Sequence, residues 1–261
     1  MRFNNGLTSA GVAATDQLSS ELQLNQGAPA WERLLQRYPT VGAHFEGATA
    51  ELPFVQVPRL SFQSGQVVGP NWALLPSAAG FIDPLLSTGF TLTLLGLHRL
   101  ARAMDEHWGK AQFARQLEQY GCATSRELLA VERVVAALYS SMDDFSRFVP
   151  IALLYFASVS FAEIARRVGK PQLATSFLLQ DRADFGPKAR ACCEDLLRSR
   201  QRGARPMDPE QLQHQVLNAI APIDLIGLSD LERHHWYPVR SEDLRHAAGK
   251  LGLSLADLDR L

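Results

Sequence analysis

The stretch Phe148 to Ala162 (FVPIALLYFASVSFA) constrains the fold of this chain more than any other. Its apolar residues nearly encircle a helix, and a helix apolar on all sides has to be surrounded. The run is about a turn or more short of the ~20 residues that cross a bilayer, and it carries Ser158 and Ser160. A central, buried helix from Phe148 to Val168 is therefore expected. At 261 residues, with 46% hydrophobic and 20% charged residues, the chain has enough length and apolar surface to enclose it.

Candidates for the enclosing helices follow from periodicity. Across Ser87 to His107, Phe90, Leu94, Leu97, Ala101 and Met104 step by four, three, four and three, which puts them on one helical face. Ser87 or Thr88 can cap that helix by accepting a bond from a first-turn N–H. Leu128, Val131, Val135, Leu138 and Met142 mark a second long helix. Further helices are expected at Pro187 to Arg200 and at Pro209 to Ile220, the latter with Asp208 as cap and Pro209 as first residue. A last pair covers Ser241 to Lys250 and Ser254 to Leu261. The basic tract Ser199 to Pro206 reads as a solvated connection.

Before residue 80 the chain is punctuated by Gly and Pro. Arg2–Phe3 and Ser9–Ala14 read as short strands around Asn4-Asn5-Gly6, since Asn-Gly supplies the positive φ of tight turns. Pro29 to Tyr38 reads as a short helix ended by Pro39. Leu52 to Val57 and Gln66 to Val68 read as edge-type strand pieces, and Trp72 to Leu75 as a short buried strand.

Several function classes are disfavoured. A net charge of −1 provides no basic field for nucleic acid. The three cysteines, Cys122, Cys192 and Cys193, cannot all pair, which suits reduced thiols in the cytoplasm. The N-terminus MRFNNGLTSAGVAATDQ has no apolar signal-peptide core. His98 and His107, nine residues apart, do not share a helical face as metal ligands would. His234-His235-Trp236-Tyr237 reads as packing or surface, because adjacent histidines on an extended segment point apart. Asp143-Asp144 and Arg166-Arg167 read as helix-end charges. On a helix, Cys192 and Cys193 should give one buried and one partly exposed thiol. No metal site is expected.

The chemistry lies between Gly69 and Leu100, GPNWALLPSAAGFIDPLLSTGFTLTLLGLHRL. This reads as a strand, a small-residue turn at Ala78-Ala79-Gly80, a loop, and a helix opening at Ser87-Thr88-Gly89. Small residues let backbone approach a ligand closely. The helix start offers unpaired N–H groups and the positive end of the helix dipole, a setting for an anion or an electron-rich carbonyl.

The order of residues in AAGFIDPLLSTG resembles the second flavin-binding segment of flavin-dependent halogenases and related FAD-dependent monooxygenases, G-D-A-A-G-F-x-D-P-L-x-S-[ST]-G. The match comprises Ala78, Ala79, Gly80, Phe81, Asp83, Pro84, Leu85, Ser87, Thr88 and Gly89. Residues 1 to 12 also resemble the strand-turn-strand that follows that family's W-x-W-x-I-P motif. The resemblance spans roughly residues 1 to 110. It implies FAD contacts from Ser77, Ala78, Ala79, Gly80, Asp83, Pro84, Ser87, Thr88 and Gly89, and a halide held by the amides of Thr88 and Gly89. It also implies a small-molecule substrate, and a flavin reductase or nicotinamide as electron donor.

Three departures shape the expectation. No G-x-G-x-x-G occurs, so the ADP-binding βαβ unit would lie upstream of residue 1, as would the family's catalytic lysine. The acidic residue that contacts the ribityl chain falls at Ser77, after Pro76 where the family has Gly. Tryptophan halogenases carry a glutamate where this chain has Leu86. The expected architecture is α+β, the C-terminal portion of a two-domain FAD-dependent monooxygenase-type fold. Residues 1–68 are a remnant of a substrate-side sheet, 69–110 the flavin-contacting strand, loop and helix, and 111–261 a helical region. The implied activity uses reduced flavin and oxygen on an aromatic or apolar substrate, and the chain by itself is expected to be inactive. The alternatives are a truncated, non-catalytic fragment or helical interaction module, and a lipid-reductase-like flavoprotein suggested by the apolar helix.

Overall fold

A computed structural model describes residues 2–201, 203–230, 232 and 240–258. The His234-His235-Trp236-Tyr237 cluster lies outside the described residues. The chain divides into two compact units, Met1–Leu60 and Ser61–Leu261.

In the first unit, Asn4-Asn5-Gly6 does turn the chain. Gly6 has φ 85°, and Phe3 N donates to the Leu7 carbonyl at 2.8 Å. The return strand, however, is a single bridge between Arg2 and Thr8, and Ser9 to Ala14 form no strand. These residues are mostly exposed, and a lone two-stranded hairpin is marginal in water. Leu52 to Val57 is likewise irregular and exposed, since Pro53 and Pro58 remove ladder donors and no strand lies beside it. The helices are α1 (Asp16–Leu22), capped by the Thr15 side chain, α2 (Ala28–Arg37) and α3 (Pro39–Ala43). Helix α2 falls where Pro29 to Tyr38 placed it. Trp31 packs edge-on against Phe45 at 5.1 Å.

The second unit opens with two minimal antiparallel ribbons. β1 (Phe62–Gln63) pairs with β4 (Gly80–Phe81), and β2 (Val68–Gly69) with β3 (Trp72–Ala73). The strand at Trp72 therefore has a neighbour from its own chain. Between β3 and β4 the chain makes one helical turn, α4 (Pro76–Ala79).

Long helices follow: α5 (Thr88–His107), α6 (Phe113–Ser140), α7 (Phe145–Arg167), α8 (Gly186–Ser199) and α9 (Pro209–Ile220). Near the end lie α10 (Ser241–Ala247) and α11 (Leu255–Leu258). Helix α7 is central, as its composition required. It packs on α6, α8 and α9, and buries Ile151, Leu153, Leu154, Ala157, Phe161 and Ala165. Its 23 residues exceed the length read from the sequence, so length alone no longer separates it from a membrane span. Among the described residues it is the one helix long and apolar enough to cross a bilayer, and its core-facing side chains are covered by protein. The α6 stripe is buried at Leu128, Val131, Val135 and Leu138, whereas Met142 lies past the helix end and is exposed.

The apolar stripe of helix α5 does not face the core. Phe90, Leu94, Leu97 and Met104 do share a face, but that face is open, with Phe90 76% exposed. The buried face carries Leu92, Gly96 and Ala103. Close approach decides the orientation: a Cβ on Gly96 would lie 2.4 Å from Pro76 Cγ. Cys192 and Cys193 are both buried, against the expectation of one partly exposed thiol, because α8 is covered by α6 on one side and α9 on the other. Burial pushes the two thiols up to about 11 and about 12.

Candidate functional site

The segment that the sequence marked for chemistry lies between β3 and the first turn of α5, and its outer side is concave. A shallow, solvent-open cleft, with about 20 Å³ of space for water-sized groups, is lined by Ser77, Gly80, Asp83, Thr88 and Gly89, with Pro76, Phe81, Ile82, Leu92 and Leu128. Five of the nine residues expected to face a cofactor thus meet at one surface. Ala78, Ala79, Pro84 and Ser87 belong to the same turns without lining it. Ala79 is fully buried behind it.

Local chemistry explains the shape. Asp83 folds back on its own turn, accepting from Leu85 N at 2.7 Å, and Ser87 N donates to the Pro84 carbonyl at 3.0 Å. Ser87 then enters the left-handed region, with φ 51° and ψ 34°. An N-cap side chain reaches the N2 or N3 amide from extended backbone, so left-handed Ser87 makes no capping bond. Thr88 does not replace it, so a 20-residue helix begins beside the cleft with no side chain capping its first turn. Gly89 is open: a Cβ there would meet nothing within 4 Å. Gly80, in contrast, is closed in, its virtual Cβ 3.0 Å from Leu128 Cδ1 and 3.1 Å from the Phe62 carbonyl.

Residues far away in sequence hold this surface. Three tyrosine hydroxyls tether the segment. Tyr120 of α6 donates to the Leu74 carbonyl at 2.7 Å, Tyr139 of α6 to Asp83 Oδ2 at 2.8 Å, and Tyr155 of α7 to the Leu86 carbonyl at 2.8 Å. Burial and then the Asp83 carboxylate push the Tyr139 phenol up to about 12, so it stays a donor at any working pH. Only the apolar setting of these tyrosines hinted at this, because a buried phenol needs a partner.

Beneath the cleft, Arg99 of α5 grips the buried Glu127 of α6 through both carboxylate oxygens, at 2.6 and 2.7 Å. Glu127 also accepts from Phe177 N at 2.6 Å, and Arg99 donates to the Thr175 carbonyl at 2.8 Å. Donating to the Glu127 carboxylate raises the Arg99 guanidinium pKa, more than burial lowers it. The clamp thus joins the two helices that form one wall and the floor of the cleft.

Among the described residues there is no group of three or more His, Cys, Asp or Glu able to hold a metal. His98 is exposed, and His107 lies beside Glu106 at 3.6 Å. A wider depression between the end of α8 and the start of α9 is lined by Asp195, Arg198, Arg205 and Asp208. Its charges are largely used internally: Arg198 pairs with Asp195, and Asp208 caps α9 through Gln211 N. The site-like surface is the smaller cleft.

In sequence the chain is similar to the flavin-dependent halogenases, and its mostly helical α+β fold is found within a halogenase structure. No family model matches. It is 28% identical over 144 residues to monodechloroaminopyrrolnitrin halogenase PrnC of Pseudomonas fluorescens, a match covering 55% of this chain and 24% of that protein. It is 33% identical over 92 residues to tetracycline 7-halogenase of Kitasatospora aureofaciens, covering 33% of this chain and 17% of that one. The crystal structure of halogenase PltM superposes with a TM-score of 0.57 at 21% identity, over 78% of this chain and 44% of PltM. PltM in complex with phloroglucinol and FAD gives the same values. The chain therefore spans about a quarter or less of the curated relatives it matches, 24% and 17%, and under half of PltM.

Proposed function

We propose that the cleft between α4 and the start of α5 receives one edge of a flavin ring, and that the chain supplies one side of an FAD-dependent, halogenase-like oxidoreductase site. The observation that carries this is the open side of Gly89, beside first-turn amides that no side chain caps. Those N–H groups and the helix dipole favour the electron-rich pyrimidine edge. Ser77 and Ala78 then lie along the ribityl chain, where the Ser77 hydroxyl, exposed at the first turn of α4, offers a neutral hydrogen bond. Ala79, Gly80, Asp83, Pro84 and Ser87 shape the turn, and the amides of Thr88 and Gly89 are the halide candidates.

The residues present fit the ring's edge, with nothing among them suited to the ADP half. Bound FAD, reduced by a partner reductase or a nicotinamide, supplies the electrons that activate oxygen toward an aromatic or apolar small molecule. Leu92 and Leu128, which line the cleft, would give a bound ring an apolar surface that disfavours water. Three free thiols suit a reducing, cytoplasmic setting.

A second reading, a helical interaction module, is favoured by the open stripe on α5, where Phe90, Leu94, Leu97 and Met104 keep a coiled-coil-like spacing with Trp108 beyond them, 66% exposed. Titration with riboflavin 5′-phosphate separates the two. Saturable quenching of flavin fluorescence by the wild-type chain, weakened at least tenfold in Gly89→Leu with an unchanged melting temperature, supports the flavin reading. Equal behaviour of the two proteins, or no quenching by either, overturns it.

A further inference from the structure

We infer that Tyr139 is a positioning residue for the cleft: acting through Asp83, it fixes the turn from which α5 starts beside the cleft. The inference deepens the flavin reading and rests on it for its functional meaning. Asp83 lines the cleft, yet each of its carboxylate oxygens is engaged by protein. Oδ1 accepts from Leu85 N at 2.7 Å, and Oδ2 accepts from Tyr139 Oη at 2.8 Å. Asp83 therefore acts as a bracket between its own turn and α6.

The turn needs such a bracket. Between Asp83 and Thr88 the backbone has to pass through left-handed Ser87, a conformation disfavoured for a residue with a Cβ. No capping bond from Ser87 compensates. Tyr155 holds the Leu86 carbonyl from the other side at 2.8 Å. The two tyrosines, on different helices, thus grip the turn on either side of Pro84-Leu85. Tyr120 grips the chain earlier, at Leu74, and serves as the matched control. Tyr139 lies 56 residues from Asp83 and is absent from the cleft lining, so it acts on a ligand only through the turn.

The experiment compares Tyr139→Phe, Tyr120→Phe and wild type by amide hydrogen exchange on the ligand-free chain, and then by riboflavin 5′-phosphate titration. Losing a hydrogen bond to a charged group should speed exchange of the two hydrogen-bonded amides of the turn, Leu85 and Ser87, roughly 10- to 100-fold in Tyr139→Phe. In Tyr120→Phe faster exchange should appear around 72–75 and spare Leu85 and Ser87. Unchanged exchange at Leu85 and Ser87 in Tyr139→Phe, or acceleration spread evenly over α6, overturns the inference. If Tyr139→Phe fails to fold, Asp83→Asn, which keeps an oxygen for Leu85 N and removes the charged acceptor of the Tyr139 hydroxyl, takes its place with the same readout. Flavin affinity should fall in Tyr139→Phe; equal affinities of Tyr139→Phe and wild type also overturn it. Absence of flavin binding by wild type defeats the flavin reading instead, and the exchange result still decides the bracket.

Discussion

Replacing Glu127 by Gln changes one atom in the side chain that joins α5, α6 and the segment after α7. Oε1 accepts from Arg99 Nη2 at 2.7 Å and Phe177 N at 2.6 Å, while Oε2 accepts from Arg99 Nη1 at 2.6 Å. A glutamine amide can keep the oxygen at the first position. Its NH2 then faces the Nη1 donor, and the guanidinium loses its counter-charge. Removing one member of a buried pair costs about 3–5 kcal/mol. Arg99 keeps 23% of its side chain exposed, against 1% for Glu127, so water recovers part of the loss and about 3 kcal/mol is expected.

The damage should concentrate at Thr175 to Leu179. There Leu178 and Leu179 hold φ of 55° and 53°, an arrangement that costs about 1–2 kcal/mol per residue and that the clamp keeps in place. Urea unfolding of wild type, Glu127→Gln, Arg99→Met and the double variant measures both the cost and the coupling. In the Arg99→Met background the Gln substitution should cost about 2 kcal/mol less, because no charge is stranded. A single-variant cost under about 1 kcal/mol, or strict additivity, would refute the clamp as described.

Other perturbations have contrasting outcomes. Ser87→Ala should change stability by less than about 0.5 kcal/mol, whereas Asp208→Ala should cost about 1 kcal/mol in the same urea assay, because only Asp208 makes its capping bond. Native protein should present a single thiol, Cys122, to a thiol reagent at pH 8, with Cys192 and Cys193 reacting only on unfolding. Rapid labelling of more than one would contradict the packing of α8. Asp224 is buried, which alone would raise its pKa. The Ser229 hydroxyl and the amides of Ser229, Leu228 and Ile226 outweigh burial and hold it below the ordinary aspartate value. Its contribution is therefore present above about pH 4 and lost as pH falls through the depressed folded value. Asp224→Asn should be less stable than wild type at pH 7, with the gap closing toward pH 2; a gap that is flat with pH would rule this out.

What was legible in the sequence was what a helical period writes into side chains. The centrality of α7, the buried stripe of α6, the cap and first residue of α9, and the turn-then-helix at Pro84 to Gly89 all belong to that class. Which face of helix α5 is buried was not legible, because a pattern counts apolar side chains and overlooks the missing ones: Gly96 admits a close neighbour, and the richer stripe is left outside. The strands are two residues each and leave no period to detect. Helix α1 was overlooked because its seven residues, DQLSSEL, bury only Leu22. At the candidate site, the local order of residues marks out the segment from Ser77 to Gly89. The tyrosine tethers act across 46, 56 and 69 residues, and no local signal reaches that far. Left-handed Ser87 was hidden as well, since serine before a helix ordinarily announces a cap.

The most direct test of a ligand edge at the start of α5 is a map of amide chemical shifts as riboflavin 5′-phosphate is added to the isotope-labelled chain. Saturable shifts centred on Ser77, Gly80, Asp83, Thr88 and Gly89, with the groove at Arg198 and Arg205 silent, are what the cleft predicts. Shifts gathered at that groove or along the open face of α5, or none at millimolar flavin, would contradict it.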